Sequence, residues 1–350
     1  VTLTATPASG SAFAGWSGAC TGTGTCTVTM DADRSVTATF TELSWPLSVI
    51  RTGAGSGTVT SSPLAIYCGA VCSSTFADGD VVTLTATPDT GSTFKGWSGD
   101  CSGTGTCTLT LHAAANVTAE FGVEFNPLSV TKAGTGSGSV VAGPFIACGF
   151  LCSALYPYGA TVTLTANPSA GSSFTGWSGD CSGTSLTCSV SMDAARNVIA
   201  TFTLDEEPLT VTRLGSGSGT VTSAPAGIFC GATCSASYSF GTVVTLTATP
   251  DATSSFAGWS GACTGTGACT VTMDAAKTVT ATFTRIEWTL TVSHTGGGTV
   301  TSVPAGIFCG AACTAVYLDG TSVSLTATPS SGYRFAGWSG ACTGTGAPAC

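Results

Sequence analysis

Charge is the scarcest property of this sequence. Only 8% of its 350 residues carry it, and just nine are Lys or Arg. A nucleic-acid partner requires a concentrated basic footprint, so that class is excluded. Histidine is scarcer still. His112 and His294 are the two, and they stand at unrelated points of the pattern described below, so no imidazole recurs as a base or metal ligand. No apolar run approaches the ~18–20 residues of a membrane span, and Val1 opens no signal peptide. Strong helix formers are also few. Gly alone supplies 47 positions, and Thr, Ser and Val fill much of the rest, all of them poor in helices. No segment sustains a 3.6-residue apolar period. These absences leave β-structure with many turns.

What is present is repetition. Trp16, Trp97, Trp177, Trp259 and Trp338 each stand in the tetrapeptide Gly-Trp-Ser-Gly and recur about every 80 residues. A "VTLTATP"-like segment precedes each one and a cysteine pair follows it, with a "VTATF"-like segment after the first four. Ahead of these come "PLTV", a glycine-rich stretch, "GTVTS" and a Cys-Gly-x-x-Cys run. Self-similarity at a fixed period is the signature of an array. Whole copies are expected at 46–126, 127–207 and 208–288. The C-terminal part of another occupies 1–45, and a truncated copy occupies 289–350. Both ends fall inside a copy, so a window onto a longer repetitive protein is expected. The connecting segments 41–45, 122–126, 203–207 and 284–288 are too short to act as floppy coils. Their apolar residues, Leu43, Trp45, Val123, Phe125, Leu204, Ile286 and Trp288, are expected to pack at the junctions. An elongated, semi-rigid rod of ~30 Å per copy follows if each copy is compact.

Within a copy, strict alternation marks strands. Val82-Thr83-Leu84-Thr85-Ala86-Thr87 puts apolar residues on one face and threonines on the other. Segments 47–49, 58–60, 107–111 and 117–121 do the same. That predicts an all-β fold of about five short strands per copy, each with one buried and one wet face, an antiparallel habit. At most one short helical turn fits between Ser61 and Asp80. The expected core is Leu47, Val49, Val59, Leu84, Phe94, Trp97, Leu109, Val117 and Phe121. A core this small is marginal, and small domains of this kind usually carry staples.

The 18 cysteines fall into nine close pairs. Four have three intervening residues: Cys68/Cys72, Cys148/Cys152, Cys230/Cys234 and Cys309/Cys313. The others, Cys20/Cys26, Cys101/Cys107, Cys181/Cys188, Cys263/Cys269 and Cys342/Cys350, have gaps of five to seven. A metal site fixes its ligand spacing, whereas a loop closed by a disulfide tolerates an extra residue. Four thiolates per copy could in principle hold zinc, but the varying gap favours disulfides, which imply an oxidising, extracellular setting. Local closure is the expected pairing, and cross-linking of the two pairs within a copy is the alternative.

The remaining candidates read as structure. Gly15-Trp16-Ser17-Gly18-Ala19 lacks the glycine two residues after the serine that a nucleophile elbow requires, and no recurring His or Asp stands ready to activate Ser17. The tryptophan is expected to cap the core. Gly53-Ala54-Gly55-Ser56-Gly57 resembles a phosphate loop, but a strand follows it instead of a helix. It shrinks to Gly296-Gly297-Gly298 in the last copy, so a hairpin turn is predicted. Asp31, Asp193 and Asp274 share one slot that holds His112 in the second copy, and too few oxygens cluster there for calcium. The threonine rows read as solvated surface, O-glycosylation sites or a lateral contact face. Asn116-Val117-Thr118 is a lone sequon. No catalytic, cofactor or metal site is predicted.

The Gly96-Trp97 pair, the terminal Val117-x-Ala119-x-Phe121 and the preceding Val81–Pro88 segment make the chain similar to the divergent InlB B-repeat family, which is related to the Listeria–Bacteroides repeats of bacterial cell-surface proteins. The resemblance covers every copy. It implies a compact β-grasp-like module, here without a clear grasp helix and with two added cysteine pairs. Such modules are strung in tandem on secreted or surface-anchored proteins and carry no catalytic residues. The expected function is a structural extracellular rod or filament, a surface fibre or adhesin stalk that self-associates or packs on its neighbours. The alternative is a multivalent array whose exposed aromatics grip a polysaccharide or host surface.

Overall fold

The computed structural model describes residues 1–344 and 347–350. It is all-β, with no helix among the described residues. In the second copy the strands are β1 (Ser44–Thr52), β2 (Gly57–Ser62), β3 (Tyr67–Cys68), β4 (Ser73–Ala77), β5 (Val81–Pro88), β6 (Ser92–Gly99), β7 (Cys107–Thr110) and β8 (Ala115–Val123). The third and fourth copies contain the same eight. The count is therefore larger than the five that alternation reveals, and β3 and β4 occupy the interval where a helical turn was allowed.

Each whole copy has two four-stranded sheets. One has the order β6-β8-β1-β4, the other β7-β5-β2-β3. A single core lies between them. Leu47, Val49, Val59, Val82, Leu84, Trp97, Val117, Ala119 and Phe121 come from both sheets, and Ile66, Cys68, Phe76, Cys107 and Leu111 close its margins. Phe94 and Leu109, expected inside, pack half-buried against it. Each fully buried Leu, Val or Phe contributes ~1.5–3 kcal/mol, and the outward threonines keep the opposite faces wet. A second sheet faces the first where a grasp fold would place a helix.

The expectation of purely antiparallel pairing is corrected at one place. β1 and β8, the two central strands of their sheet, run parallel, with Leu47 opposite Ala115 and Thr52 opposite Glu120. Alternation reports which face of a strand is buried but not the direction of its partner. A parallel pair needs a long crossover between its strands, and here the rest of the copy serves as that crossover.

The glycine-rich stretch 53–57 also differs from its prediction. It joins β1 of one sheet to β2 of the other, so it is a crossover, not a hairpin turn. Gly53 has φ +94°, and a Cβ there would collide with the carbonyl oxygen of Phe121. Gly57 lies against the Phe121 ring in the same way. The glycines are there because the crossover is laid directly on the end of β8.

Between copies almost no linker exists. β8 ends at Val123 and the next β1 (Phe125–Ala133) begins after Glu124 alone. Leu43, Asp205 and Ile286 are the corresponding single residues. In each case the residue's N–H donates to a carbonyl of the preceding copy: Gly10, Gly91, Gly171 or Thr253, at 2.8–3.0 Å. Its own carbonyl accepts from the N–H of Asp78, Tyr158, Phe240 or Asp319 of the following copy, at 2.8–2.9 Å. Leu43, Val123, Leu204 and Ile286 are half-buried, but Phe125 and Trp288 stay exposed, against the expectation that all the junction apolar residues pack.

Contacts divide the chain into two compact units. Val1–Ala133, Gly138–Asn167 and Phe174–Thr201 form the first, which holds the core of the second copy. Gly134–Ser137, Pro168–Ser173 and Phe202–Cys350 form the other, which holds the equivalent core of the fourth copy and a smaller one around Val292, Val300, Ile307, Cys309 and Leu325.

Candidate functional site

The Gly-Trp-Ser-Gly tetrapeptide ends strand β6. Its ladder with β8 is interrupted by a bulge between Phe94 and Gly96. Gly96 has φ +143°, and a Cβ there would lie 3.1 Å from the Gly103 carbonyl oxygen, so the position suits glycine. The bulge turns the next residue inward. Trp97, Trp177 and Trp259 are each 5% exposed, and Trp16 and Trp338 are half-buried. The indole then fastens the cysteine loop that follows. Trp97 N–H donates to Gly103 O at 2.8 Å, and its Nε1 donates to Gly105 O at 2.7 Å. The indoles of Trp16, Trp177 and Trp259 make the same bond to Gly24, Ser185 and Gly267 at 2.7–2.8 Å. Phe94 stacks edge-on against Trp97 with ring centroids 5.0 Å apart and touches Phe121 beyond. Ser98 lies on the exposed side of β6, opposite Thr118, which can supply no base.

The structure brings the two members of every cysteine pair together as local disulfides. The Cα–Cα distances are 4.2, 4.3, 4.2 and 4.1 Å for Cys68–Cys72, Cys148–Cys152, Cys230–Cys234 and Cys309–Cys313. For Cys20–Cys26, Cys101–Cys107, Cys181–Cys188, Cys263–Cys269 and Cys342–Cys350 they are 5.8, 5.9, 6.4, 5.6 and 6.1 Å. The short loops follow β3 and the longer ones precede β7. Among the described residues no three His, Cys, Asp or Glu side chains gather as a metal site.

The recurring aspartates have partners that sequence reading missed. Asp31 pairs with Arg34, Asp193 with Arg196, and Asp274 with Lys277 at 2.6 Å. The signal was the cation three residues on, in "DADR", "DAAR" and "DAAK". In the third copy Arg196 also reaches Asp180 at 3.0 Å. Asp180 is held below the usual carboxylate value by the Asn197 backbone N–H and then by Arg196, and Lys277 does the same for Asp274. At the first junction Trp45 Nε1 donates to Asp78 at 2.8 Å. That bond lowers the Asp78 pKa, and His112, 3.3 Å away, adds to it. These are ties between neighbouring segments, with nothing aimed at a ligand.

A cavity of about 450 Å³ lies in the fifth copy, lined in part by Leu290, Val292, Val300, Leu325 and Trp338. The counterparts of these residues in the fourth copy pack on Val279, Ala281 and Phe283 of β8. The cavity is thus a core position and not an added pocket.

The exposed aromatics are elsewhere. Tyr67, Phe229 and Phe308, each next to the first cysteine of the short loop, are 53–56% exposed. The loop holds them in place, with Tyr67 N–H donating to Val71 O and the N–H groups of Ala70 and Val71 returning to Tyr67 O.

The family model for the divergent InlB B-repeat domain matches five times, at residues 1–44, 47–124, 128–206, 209–287 and 288–350. No curated protein matches the sequence at a significant level. Among solved structures, the TIE protein of Bacillus anthracis is similar with a TM-score of 0.45 and 7% identity, over 72% of this chain and 54% of that one. The pilus adhesin SpaC of Lactobacillus rhamnosus GG has a TM-score of 0.24 and 10% identity, over 74% and 46%. Two B repeat units of the Staphylococcus aureus collagen-binding protein have a TM-score of 0.18 and 11% identity, over 83% and 93%. The chain spans about half the length of the first two.

Proposed function

The chain belongs to the divergent InlB B-repeat family, and from that premise we propose that it is a structural spacer of the cell exterior, a disulfide-reinforced rod that serves as surface fibre or adhesin stalk without catalysis. The observation that carries this reading is the junction. At all four, one residue separates two strands and is tied by its N–H to one copy and by its carbonyl to the next. A joint that spends both its backbone groups this way resists bending. Two further features support it. The tryptophan and the cysteine loop it fastens recur copy by copy, whereas a catalytic site normally occurs once. Nine local disulfides suit an oxidising exterior, and the bridges at Cys68–Cys72 and its counterparts belong to this proposal.

Small-angle scattering on the purified chain, with a non-reducing peptide map of the same sample, tests it. The expected result is an extended particle that lengthens by ~30 Å per copy, with all nine bridges local. A globular or freely jointed particle would overturn the rod. Electron microscopy of native material tests the filament version, which requires end-to-end or lateral order.

A second reading, a multivalent adhesive array, is favoured by the exposed Tyr67, Phe229 and Phe308. The tryptophans cannot serve it, because Trp97, Trp177 and Trp259 are buried. Replacing Tyr67, Phe229 and Phe308 with Ala would abolish binding to a responsive polysaccharide and leave the scattering curve unchanged. Unaltered binding would exclude this surface.

A further inference from the structure

We propose that each whole copy is a tension-bearing unit in which a pull along the chain loads the β1–β8 pair in shear. The inference rests on the stalk reading above and adds a mechanical task to it. A stalk held at both ends is pulled along its backbone. Because one residue joins β8 to the next β1, force enters a copy at the start of β1 and leaves it at the end of β8.

Those two strands are adjacent and parallel. In the second copy the register runs from Leu47 opposite Ala115 to Thr52 opposite Glu120. In the third it runs from Leu128 opposite Arg196 to Ala133 opposite Thr201, and in the fourth from Leu209 opposite Lys277 to Leu214 opposite Thr282. Drawing the start of one parallel strand away from the end of its neighbour slides the pair lengthwise. The ladder hydrogen bonds run between the strands, across the pull, so they stretch together before any one breaks. An antiparallel pair loaded at one end would instead open bond by bond. Sliding also drags Leu47, Val49, Val117, Ala119 and Phe121 out of register with the core in which they are buried. Neither strand can peel away from an edge, since β6 and β4 flank them. The bridges Cys68–Cys72 and Cys101–Cys107 lie outside the pair; the short loop touches β1 where the Cys72 carbonyl accepts from Val49 N–H at 2.8 Å, and the bridges shorten the chain released afterwards.

Single-molecule pulling on the intact chain, held by its two ends, tests the proposal. Each whole copy should give one separate rupture peak and release roughly 230 Å, at ~3.6 Å per residue less the closed loops and the folded length. The force should exceed several-fold that needed when handles at Ser48 and Asn116, which face each other across the pair, draw it apart sideways. Reduction of the bridges should lengthen each release by about 25 Å at unchanged force. Equal forces in both directions, extension without peaks, or a force that falls on reduction would each overturn the shear arrangement. Scattering from the same chain separates the two failures. An extended particle that yields without peaks removes the tension reading alone, whereas a compact or freely jointed one removes the stalk.

Discussion

Gly215 has φ +99°, and a Cβ on it would collide with the Phe283 carbonyl oxygen. Gly215→Ala should therefore loosen the fourth copy far more than the few tenths of a kcal/mol of an ordinary surface change. Trp259 is a stronger case, since its ring is core and its Nε1 holds the Gly267 carbonyl. Trp259→Ala should cost ~3–5 kcal/mol, read by hydrogen exchange as lost protection across residues 206–285 while the second copy stays protected. Trp259→Phe keeps a ring but forfeits the hydrogen bond, and should cost less. Asp78 provides a pH dependence with a definite sign. The Trp45 bond, helped by His112, depresses its pKa below the ordinary 3.8. The carboxylate's contribution is therefore complete above that value and is lost as pH falls through the lower folded value. Trp45 fluorescence should report a transition below pH 3.8 that disappears in Asp78→Asn.

At the scale of the element, the short Cys-x-x-x-Cys loop tests the value of a staple. Replacing Cys230 and Cys234 together with Ala should destabilise the fourth copy by ~2 kcal/mol, the chain-entropy expectation for so small a loop. An unchanged unfolding midpoint for that copy would show that β3 and β4 hold the loop unaided. The loop was legible in the sequence, as were the strands whose alternation is unbroken, such as Val81–Pro88 and Ala115–Val123. Three strands were not. β6 loses its alternation at the Phe94/Gly96 bulge, β3 has two residues, too few for a period to register, and β4, Ser73-Ser74-Thr75-Phe76-Ala77, has Phe76 as its one large apolar residue. Strand partners were hidden for a different reason. Leu47-Ser48-Val49 tells which side chains are inside, but antiparallel and parallel neighbours present the same inside. The candidate site was legible as a fastening because the Trp97 loop recurs and lacks a base. The carbonyls its indole reaches could not be seen, since the bulge that aims it is a backbone event at Gly96.

For the whole molecule, the junctions set the behaviour. One extra glycine after Glu124 would leave its N–H on the Gly91 carbonyl but separate its own carbonyl, which accepts from Tyr158 N–H, from the strand that follows. On the rod reading, scattering should then reveal a more flexible particle than that of the unaltered chain. The same insertion inside the Cys181–Cys188 loop, already one residue longer than the loops at Cys20–Cys26, Cys101–Cys107 and Cys263–Cys269, should leave the profile unaltered. A difference of this kind is written into the chain. Phe40 and Leu47, Phe121 and Leu128, Phe202 and Leu209, and Phe283 and Leu290 all have the same separation, while the cysteine loops and the glycine crossover vary by a residue or two. A gene for such a protein is free to drift in its loops but not at its seams. Apart from a residue or two in those loops, its length should change by gaining or losing a whole copy, so alleles should differ mainly by steps of about eighty codons, as a chain grows by links.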